Sequence, residues 1–198
     1  PLVLQRQGMD VTVLKKVGLE VGETPDLKQW KEFLNKKNAA TETVKIGLVG
    51  KYVELQDAYK SIDESLLHAA IYNDRKLDLH LFHSEKITDE NAASQLADMD
   101  GILIAPGFGQ RGIEGKFSAI KFARENNKPL FGICLGMQCM VIEFARNVLG
   151  YSDANSTEME PNTPHKVIDM MEEQKTVINL GGSMRLRAFD CVLKKDSK

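Results

Sequence analysis

The sequence predicts an α/β fold in which a mostly parallel sheet is flanked by helices. From residue 44 onwards, short apolar runs typical of buried strands alternate with longer stretches whose apolar residues recur at helical spacing. Two of these strand-like runs lead into glycine-containing loops, at residues 105–112 and 132–136. Because ligands bind at the carboxyl ends of parallel strands, both loops are expected to lie at one functional edge of the sheet.

The composition is that of an ordinary globular protein and argues against several functional classes. Of the 198 residues, 42% are hydrophobic and 27% are charged, which suffices for a buried core. The 26 basic and 28 acidic side chains leave a formal charge of −2, unlike a general nucleic-acid binder. No apolar run approaches the roughly 18 residues of a membrane span, and three cysteines are too few for a disulfide framework. A cytoplasmic protein without a membrane or nucleic-acid partner is expected.

The individual strands and helices are predicted from the apolar runs and from the helical spacing of apolar residues. Apolar runs and alternation predict strands over residues 44–50, 77–82, 101–105, 129–133, 167–171 and 183–193. Helical spacing predicts helices over residues 58–73, 89–99, 113–126 and 137–148, the last closed by Gly150.

A further helix is predicted ahead of the alternating region. Thr24 would be its N-cap and Pro25 its first helical residue. Apolar side chains at 27, 30, 33 and 34 share one face of this helix. Residues 36–42 are polar and show no apolar periodicity, so they are predicted to form a linker.

Cys134 stands between a predicted strand and a predicted helix, with glycines two residues before and two residues after it. This is the nucleophile-elbow arrangement, with cysteine in place of serine. Gly132 and Gly136 are needed because a β-carbon there would collide with neighbouring backbone. The helix N-terminus favours the thiolate, and the N–H of Leu135 would face a developing oxyanion. The pattern predicts that Cys134 is a nucleophile.

The preceding loop, at residues 105–112, contains glycines 107, 109 and 112. They allow the backbone to turn sharply and to approach a ligand closely. The N–H of Gly107 is therefore a candidate second oxyanion donor.

The other two cysteines are predicted to be packing residues. Cys139 lies inside the helix that follows Cys134, and Cys191 lies in a late apolar stretch. The spacing of the three cysteines matches no zinc-ligand pattern, so no metal site is predicted.

Several motifs resemble the CTP synthases, a family of class I glutamine amidotransferases. The run from Gly132 to Gln138 is similar to the nucleophile motif of the whole class. The following runs are also similar to CTP synthases: residues 50–55, 57–61, 107–109, 111–112, 114–116, 141–150, 153–158 and 181–186. Their residues resemble those of bacterial members of the family.

This resemblance implies a flavodoxin-like glutaminase domain over residues 44–198, incomplete at its C-terminus. An interdomain helix and linker at 23–43 and the end of a synthetase domain at 1–22 would precede it. Enzymes of this family make CTP from UTP, ATP and glutamine. The glutaminase domain releases ammonia to the synthetase domain, which binds ATP and Mg²⁺. GTP is the allosteric activator, and the enzyme is a homotetramer. No cofactor is implied for these 198 residues themselves.

The resemblance also implies roles for single residues. Cys134 would attack the side-chain amide of L-glutamine and form a glutamyl thioester. The positions matching the family's glutamine contacts are Gly107, Leu135, Gly136, Met137, Gln138 and Glu158. The positions associated with GTP are Phe108, Arg111 and Glu114, and an interdomain segment contains Lys51 and Tyr52.

The sequence departs from the family beyond Cys134. A nucleophilic cysteine needs a histidine base and a carboxylate to orient it, which the family takes from a downstream His-x-Glu motif. Residues 135–198 contain one histidine, His165, no His-x-Glu, and no match to the family's later glutamine-binding arginine. The isolated 198-residue chain is therefore expected to hydrolyse little or no glutamine. Two smaller departures are Ala105-Pro106-Gly107 and Arg187, where the family has Pro-Gly-Gly and a glycine.

Two other functions remain open at this point. The missing base is compatible with a non-catalytic module that binds glutamine or a nucleotide, or that mediates assembly. A different hydrolase with an elbow cysteine on a similar fold is the third hypothesis, against which the run 155–158 and the segment 50–52 argue.

Overall fold

Four parallel strands form the central sheet of the computed structural model, which describes residues 1–55, 57–171 and 192–195. Their spatial order is β2-β1-β3-β4, and all neighbouring pairs are parallel. The strands are β1 (Glu42–Gly50), β2 (Arg75–His83), β3 (Gly101–Ile104) and β4 (Leu130–Gly132). Their carboxyl ends therefore meet at one edge, as predicted for an α/β fold with helices around a parallel sheet.

Seven α-helices, one 3-10 helix (Ser84–Lys86) and a second, two-stranded sheet complete the described part of the chain. The helices are α1 (Leu2–Arg6), α2 (Met9–Lys16), α3 (Lys28–Ala39), α4 (Lys60–Tyr72), α5 (Ala92–Leu96), α6 (Ile113–Glu125) and α7 (Leu135–Asn147). The small sheet pairs β5 (Asn155–Ser156) with β6 (Lys166–Ile168). None of these described helices has the length and apolar character needed to cross a bilayer.

The alternation of side chains along β3 divides the core into two layers. Ile102 and Ile104 pack into a cluster with side chains of α6 and α7. Leu103 points the other way and packs with partly buried residues of α4, including Leu66. All four residues of β3 are buried because it lies between β1 and β4, which explains its uninterrupted apolar sequence.

The N-terminal helices lie outside this core, and α1, α2 and α3 contain no buried residue. Trp30 and Phe33 of α3 stack with their ring centroids 5.2 Å apart. Phe33 also contacts His68 of α4 edge-on at 4.9 Å. This aromatic contact attaches α3 to the α/β region.

The predicted start of this helix at Thr24 and Pro25 is wrong. The helix begins at Lys28, whose N–H donates to the Asp26 side chain at 2.8 Å. Leu27 is the N-cap, and Thr24 and Pro25 precede the helix. The predicted linker is also too long, since residues 36–39 continue α3 and β1 already begins at Glu42.

Other boundaries shifted for similarly local reasons. The helix predicted over 89–99 is confined to α5, because the Asn91 side chain accepts from the N–H of Thr88 and holds the preceding residues in a turn. The strand predicted over 167–171 is β6 and ends at Ile168. Residues 183–191 of the last predicted strand lie outside the described residues, and Val192 and Leu193 are not in a strand.

Candidate active site

Cys134 forms a sharp turn between β4 and α7. Its φ of 53° and ψ of −113° place a non-glycine residue in a backbone region that disfavours a β-carbon. The turn is fixed on both sides, because Ile133 donates to the Ile104 carbonyl at 3.1 Å and Gln138 donates to the Cys134 carbonyl at 3.1 Å. The thiol is exposed. A strained, exposed cysteine at a helix N-terminus is the predicted elbow geometry.

The two flanking glycines allow this turn to pack closely. A β-carbon at Gly136 would lie 2.2 Å from the carbonyl oxygen of Ile104. A β-carbon at Gly132 would lie 2.6 Å from the backbone of Gly136 and Met137. Both contacts are too short for any side chain, so the structure confirms the reason given for the glycines.

The loop after β3 lies against the start of α7. A β-carbon at Gly107 would meet Cδ2 of Leu135 and Cε of Lys51, each at 3.7 Å. Among the described residues, no acceptor takes a hydrogen bond from the N–H of Gly107 or of Leu135. The loop after β3 and the start of α7 are therefore in contact, and each has an N–H group with no acceptor among the described residues.

Two buried lysines bond the carbonyl groups of this loop. Nζ of Lys116 donates to the Ala105 carbonyl at 2.7 Å, and Nζ of Lys51 donates to the Phe108 carbonyl. Lys116 is 1% exposed and Lys51 is 9% exposed. Burial lowers the pKa of Lys116; the nearby Lys51 also lowers it, whereas Cys139 and Cys134 act in the opposite direction. Two lysine amino groups therefore lie close together against the carbonyl side of this loop.

The residues predicted to bind glutamine differ in exposure and in which of their polar groups are free to bind a ligand. The Leu135 side chain is buried in the core, which leaves its N–H as its available polar group. The N–H of Gly136 already donates to Ile133 at 2.8 Å. Met137 is exposed, and Gln138 is partly buried.

Glu158 lies in the turn after β5 and is exposed. Its N–H donates to the Ser156 hydroxyl at 3.2 Å. The next residue, Met159, is buried in the core, and its carbonyl accepts from Nε2 of Gln110 at 2.5 Å. This bond ties the Glu158 segment to the loop after β3.

The positions associated with GTP form part of an exposed aromatic and cationic surface. The Phe108 side chain is 79% exposed. The guanidinium of Arg111 lies 5.5 Å from the centre of the Tyr52 ring and pairs with Glu85 at 2.5 Å. Glu114 lies in the first turn of α6 and is also exposed.

Cys139 lies in the core behind this surface, as the sequence predicted. Its side chain is fully buried, and burial raises the pKa of its thiol to about 11. Cys191 and Arg187 lie outside the described residues.

The four histidines are distant from Cys134 in sequence, and each contacts residues other than Cys134. His68 contacts Phe33, and His80 pairs with Asp78 at 3.0 Å. His83 ends β2, and its Nδ1 accepts from the N–H of Glu85. His165 lies 2.6 Å from Asp153 and stacks on Tyr151.

Sequence reasoning missed two residues of the site. Lys116 occupies a core-facing position of α6 beside Phe117, and a lysine in that apolar pattern was the available signal. Tyr59 is buried, and its hydroxyl accepts from the N–H groups of Lys51 and Tyr52 at 3.2 and 3.3 Å. No spacing rule indicates a contact of this kind.

Comparison with known proteins gives concordant results. The family model "Glutamine amidotransferase class-I" matches residues 54–198. The chain is 69% identical to CTP synthase of Porphyromonas gingivalis and 64% identical to that of Bacteroides fragilis, in each case over 198 residues. All of this chain is covered, and it spans 37% of the length of these curated relatives.

A solved structure is similar as well. It is described as the Trypanosoma brucei CTPS glutaminase domain with bound acivicin, and it matches with a TM-score of 0.63 at 41% identity. The match covers 67% of this chain and 52% of that chain.

Proposed function

The chain belongs to the class I glutamine amidotransferase family, and from this premise we propose that it is the glutaminase part of a CTP synthase. Its relatives at 64–69% identity are CTP synthases. The observation that carries the proposal is the elbow at Cys134, where an exposed thiol precedes the N–H of Leu135, which has no described acceptor, and where the loop containing Gly107 packs against Leu135.

In the proposed reaction the Cys134 thiolate attacks the side-chain amide carbon of glutamine. The carbonyl oxygen becomes an oxyanion that accepts from the N–H groups of Leu135 and Gly107. The carbon–nitrogen bond then breaks, and the leaving nitrogen takes up the proton that a general base removed from the thiol, so that ammonia departs. The glutamyl thioester that remains is hydrolysed by water, which releases glutamate and regenerates the thiol.

Glu158 is proposed to bind the α-ammonium group of glutamine. Its carboxylate is exposed, and the Gln110–Met159 bond holds its segment against the loop after β3. Glu158→Gln keeps the size of the side chain and removes its charge. The variant is expected to raise KM for glutamine more than it lowers kcat, because ground-state binding is what it loses. An unchanged KM would contradict this role.

The role of Cys134 is tested by ammonia release in the full-length protein that contains this chain. Cys134→Ala is expected to abolish glutamine-dependent ammonia release. Cys139→Ala is the matched control. It also removes one thiol, but Cys139 lies inside α7 and is buried in the core, whereas Cys134 is the N-cap of that helix. Unchanged ammonia release in Cys134→Ala would refute the assignment.

The 198-residue chain by itself is proposed to be a poor glutaminase. Its sequence contains no His-x-Glu after Cys134, so the general base of the reaction is missing from it. A glutamine-like electrophile is nevertheless expected to modify Cys134 selectively in this chain. Robust turnover of glutamine would contradict the first expectation. Absence of labelling would favour a non-catalytic glutamine- or nucleotide-binding module.

A nucleotide effector is proposed to bind beside the active site. The exposed ring of Phe108, the guanidinium of Arg111 and the carboxylate of Glu114 offer stacking, a positive charge and a hydrogen-bond acceptor. GTP is the proposed activator, and the synthetase domain with its UTP and ATP is the proposed recipient of ammonia, within a homotetramer. Arg111→Ala is expected to raise the GTP concentration needed for half-maximal activation. An unchanged value would exclude Arg111 from this role.

A further inference from the structure

Lys116 is a buried cation to which the proposed reaction assigns no role. It projects from α6 and is 1% exposed. Its Nζ donates to the carbonyl oxygen of Ala105 at 2.7 Å, and no carboxylate of the described residues forms an ion pair with it. Burial lowers its pKa. An ammonium group buried without a counter-ion costs free energy, so folding stability alone does not explain a lysine here.

The bonds of Lys116 and Lys51 enclose a very short piece of backbone. Lys116 bonds the carbonyl of Ala105, and Lys51 bonds the carbonyl of Phe108. Only two peptide units lie between these carbonyls, and their N–H groups belong to Gly107 and Phe108. Peptide units are rigid planes, and Pro106 restricts the loop further at its φ angle. Holding both carbonyls therefore restricts the directions in which the Gly107 N–H can point.

We propose that Lys116 is a positioning residue for the oxyanion loop, residues 105–109. It holds the Ala105 carbonyl while Lys51 holds the Phe108 carbonyl, and the Gly107 N–H is thereby kept in place for the oxyanion formed at Cys134. This inference rests on the proposed glutaminase reaction. It assigns to Lys116 an effect on catalysis that acts through the loop and not through contact with glutamine.

Two reactions of Cys134 distinguish a residue that positions the loop from a residue that acts on the sulfur. Hydrolysis of glutamine passes through an oxyanion and needs the loop in place. Alkylation of Cys134 by iodoacetamide displaces iodide in one step and forms no oxyanion. A residue that positions the loop should affect the first reaction and spare the second.

The test uses Lys116→Met in the full-length protein that contains this chain. Methionine has nearly the volume of lysine and no charge, so the core stays filled. The control is Lys121→Met, also on α6, whose side chain is 36% exposed and pairs with Asp89. Three quantities are measured: kcat and KM for ammonia release from glutamine, the rate of Cys134 alkylation, and the rate at which an arginine-specific protease cleaves after the exposed Arg111 of the loop.

Lys116→Met is expected to lower kcat by about 10- to 100-fold, the loss typical of a displaced oxyanion donor. KM is expected to stay within about twofold of wild type, because the variant spares ground-state contacts. The alkylation rate is expected to fall far less than kcat, because alkylation needs no oxyanion donor and loses only the electrostatic effect of Lys116 on Cys134. Cleavage after Arg111 should be faster than in Lys121→Met, because a loosened loop is cut more readily. The melting temperature should not fall, since a buried charge has been removed.

Three results would overturn the proposal. The first is an unchanged kcat. The second is a fall in alkylation parallel to kcat, which would mean that Lys116 acts on the sulfur. The third is an unchanged rate of cleavage after Arg111. If wild-type protein releases no ammonia, the proposed function fails, and the cleavage rate still decides whether Lys116 holds the loop.

Discussion

Arg124 and Glu143 form a buried ion pair between α6 and α7, and Arg124→Met tests what it contributes to stability. Nη2 of Arg124 lies 2.7 Å from the Glu143 carboxylate, and Nε lies 3.1 and 3.2 Å from its two oxygens. The Glu143 side chain is 1% exposed, whereas Arg124 is 29% exposed. Asn147 donates a further hydrogen bond at 3.0 Å. Loss of Arg124 would leave a buried carboxylate with one described partner.

The expected destabilisation follows from that burial. Removing one partner of a buried ion pair costs about 3–5 kcal/mol. Because water reaches the Arg124 side of the pair, we expect about 3 kcal/mol, the lower end of that range. Urea unfolding measures it. With a slope of about 1–3 kcal/mol per molar urea, the midpoint should fall by about 1–3 M.

Two further variants make the test specific. Lys121→Met breaks the exposed pair with Asp89 on the same helix and should cost less than about 1 kcal/mol. The double variant Arg124→Met/Glu143→Leu removes both charges and should recover most of the stability lost by the single variant. If Arg124→Met costs no more than Lys121→Met, or if the double variant recovers nothing, the reasoning is refuted.

Three more predictions concern the site and its charges. Gly136→Ala should destabilise the fold by more than about 2 kcal/mol, whereas Gly22→Ala, which meets no atom within 4 Å, should be neutral in urea unfolding. Iodoacetamide at neutral pH should label Cys134 and spare Cys139, whose thiol is buried with a pKa raised to about 11, as checked by peptide mapping; equal labelling would contradict it. The pKa of Lys116 is lowered in the folded state, so the unfolded state binds more protons just below the ordinary lysine value of 10.5. In that pH range the unfolding free energy of the wild-type protein should therefore rise with pH relative to that of Lys116→Met. Parallel pH curves for the two proteins would contradict this.

The central elements were predictable because their sequence signals are local and agree with their burial. The residues of β3 are all apolar since both faces of that strand are covered. α6 was predicted over 113–126 and observed over Ile113–Glu125. The elbow was predictable for the same reason, because Gly132 and Gly136 are required by contacts within a few residues and with the adjacent strand.

The start of α3 was not predictable at the same level. Thr24 and Asp26 are both good acceptors for a helix N-terminus, and the sequence does not say which of them bonds. In the structure Asp26 does so, to Lys28. The choice depends on the path of the backbone that leads into the helix, which no residue pattern specifies.

The hydrogen bonds of the two site lysines were not predictable, for a different reason. A lysine carries a long flexible stem, so its position on α6 does not show whether its ammonium reaches solvent or turns inward. Lys116 turns inward because the carbonyl of Ala105 lies within reach of its Nζ. That carbonyl is placed by β3, which is a tertiary relationship and not a local one.

The order of the strands explains why two cations converge on one loop. β1 lies beside β3, and Ala105 donates its N–H to the Val49 carbonyl at 2.9 Å. Lys51 follows β1 directly and therefore emerges next to the loop that follows β3. α6 begins where that loop ends and brings Lys116 back beneath it. The carboxyl edge of a parallel sheet thus gathers charges from elements far apart in sequence. A motif around Cys134 can predict the nucleophile, whereas the rate of the proposed reaction depends also on these neighbouring elements.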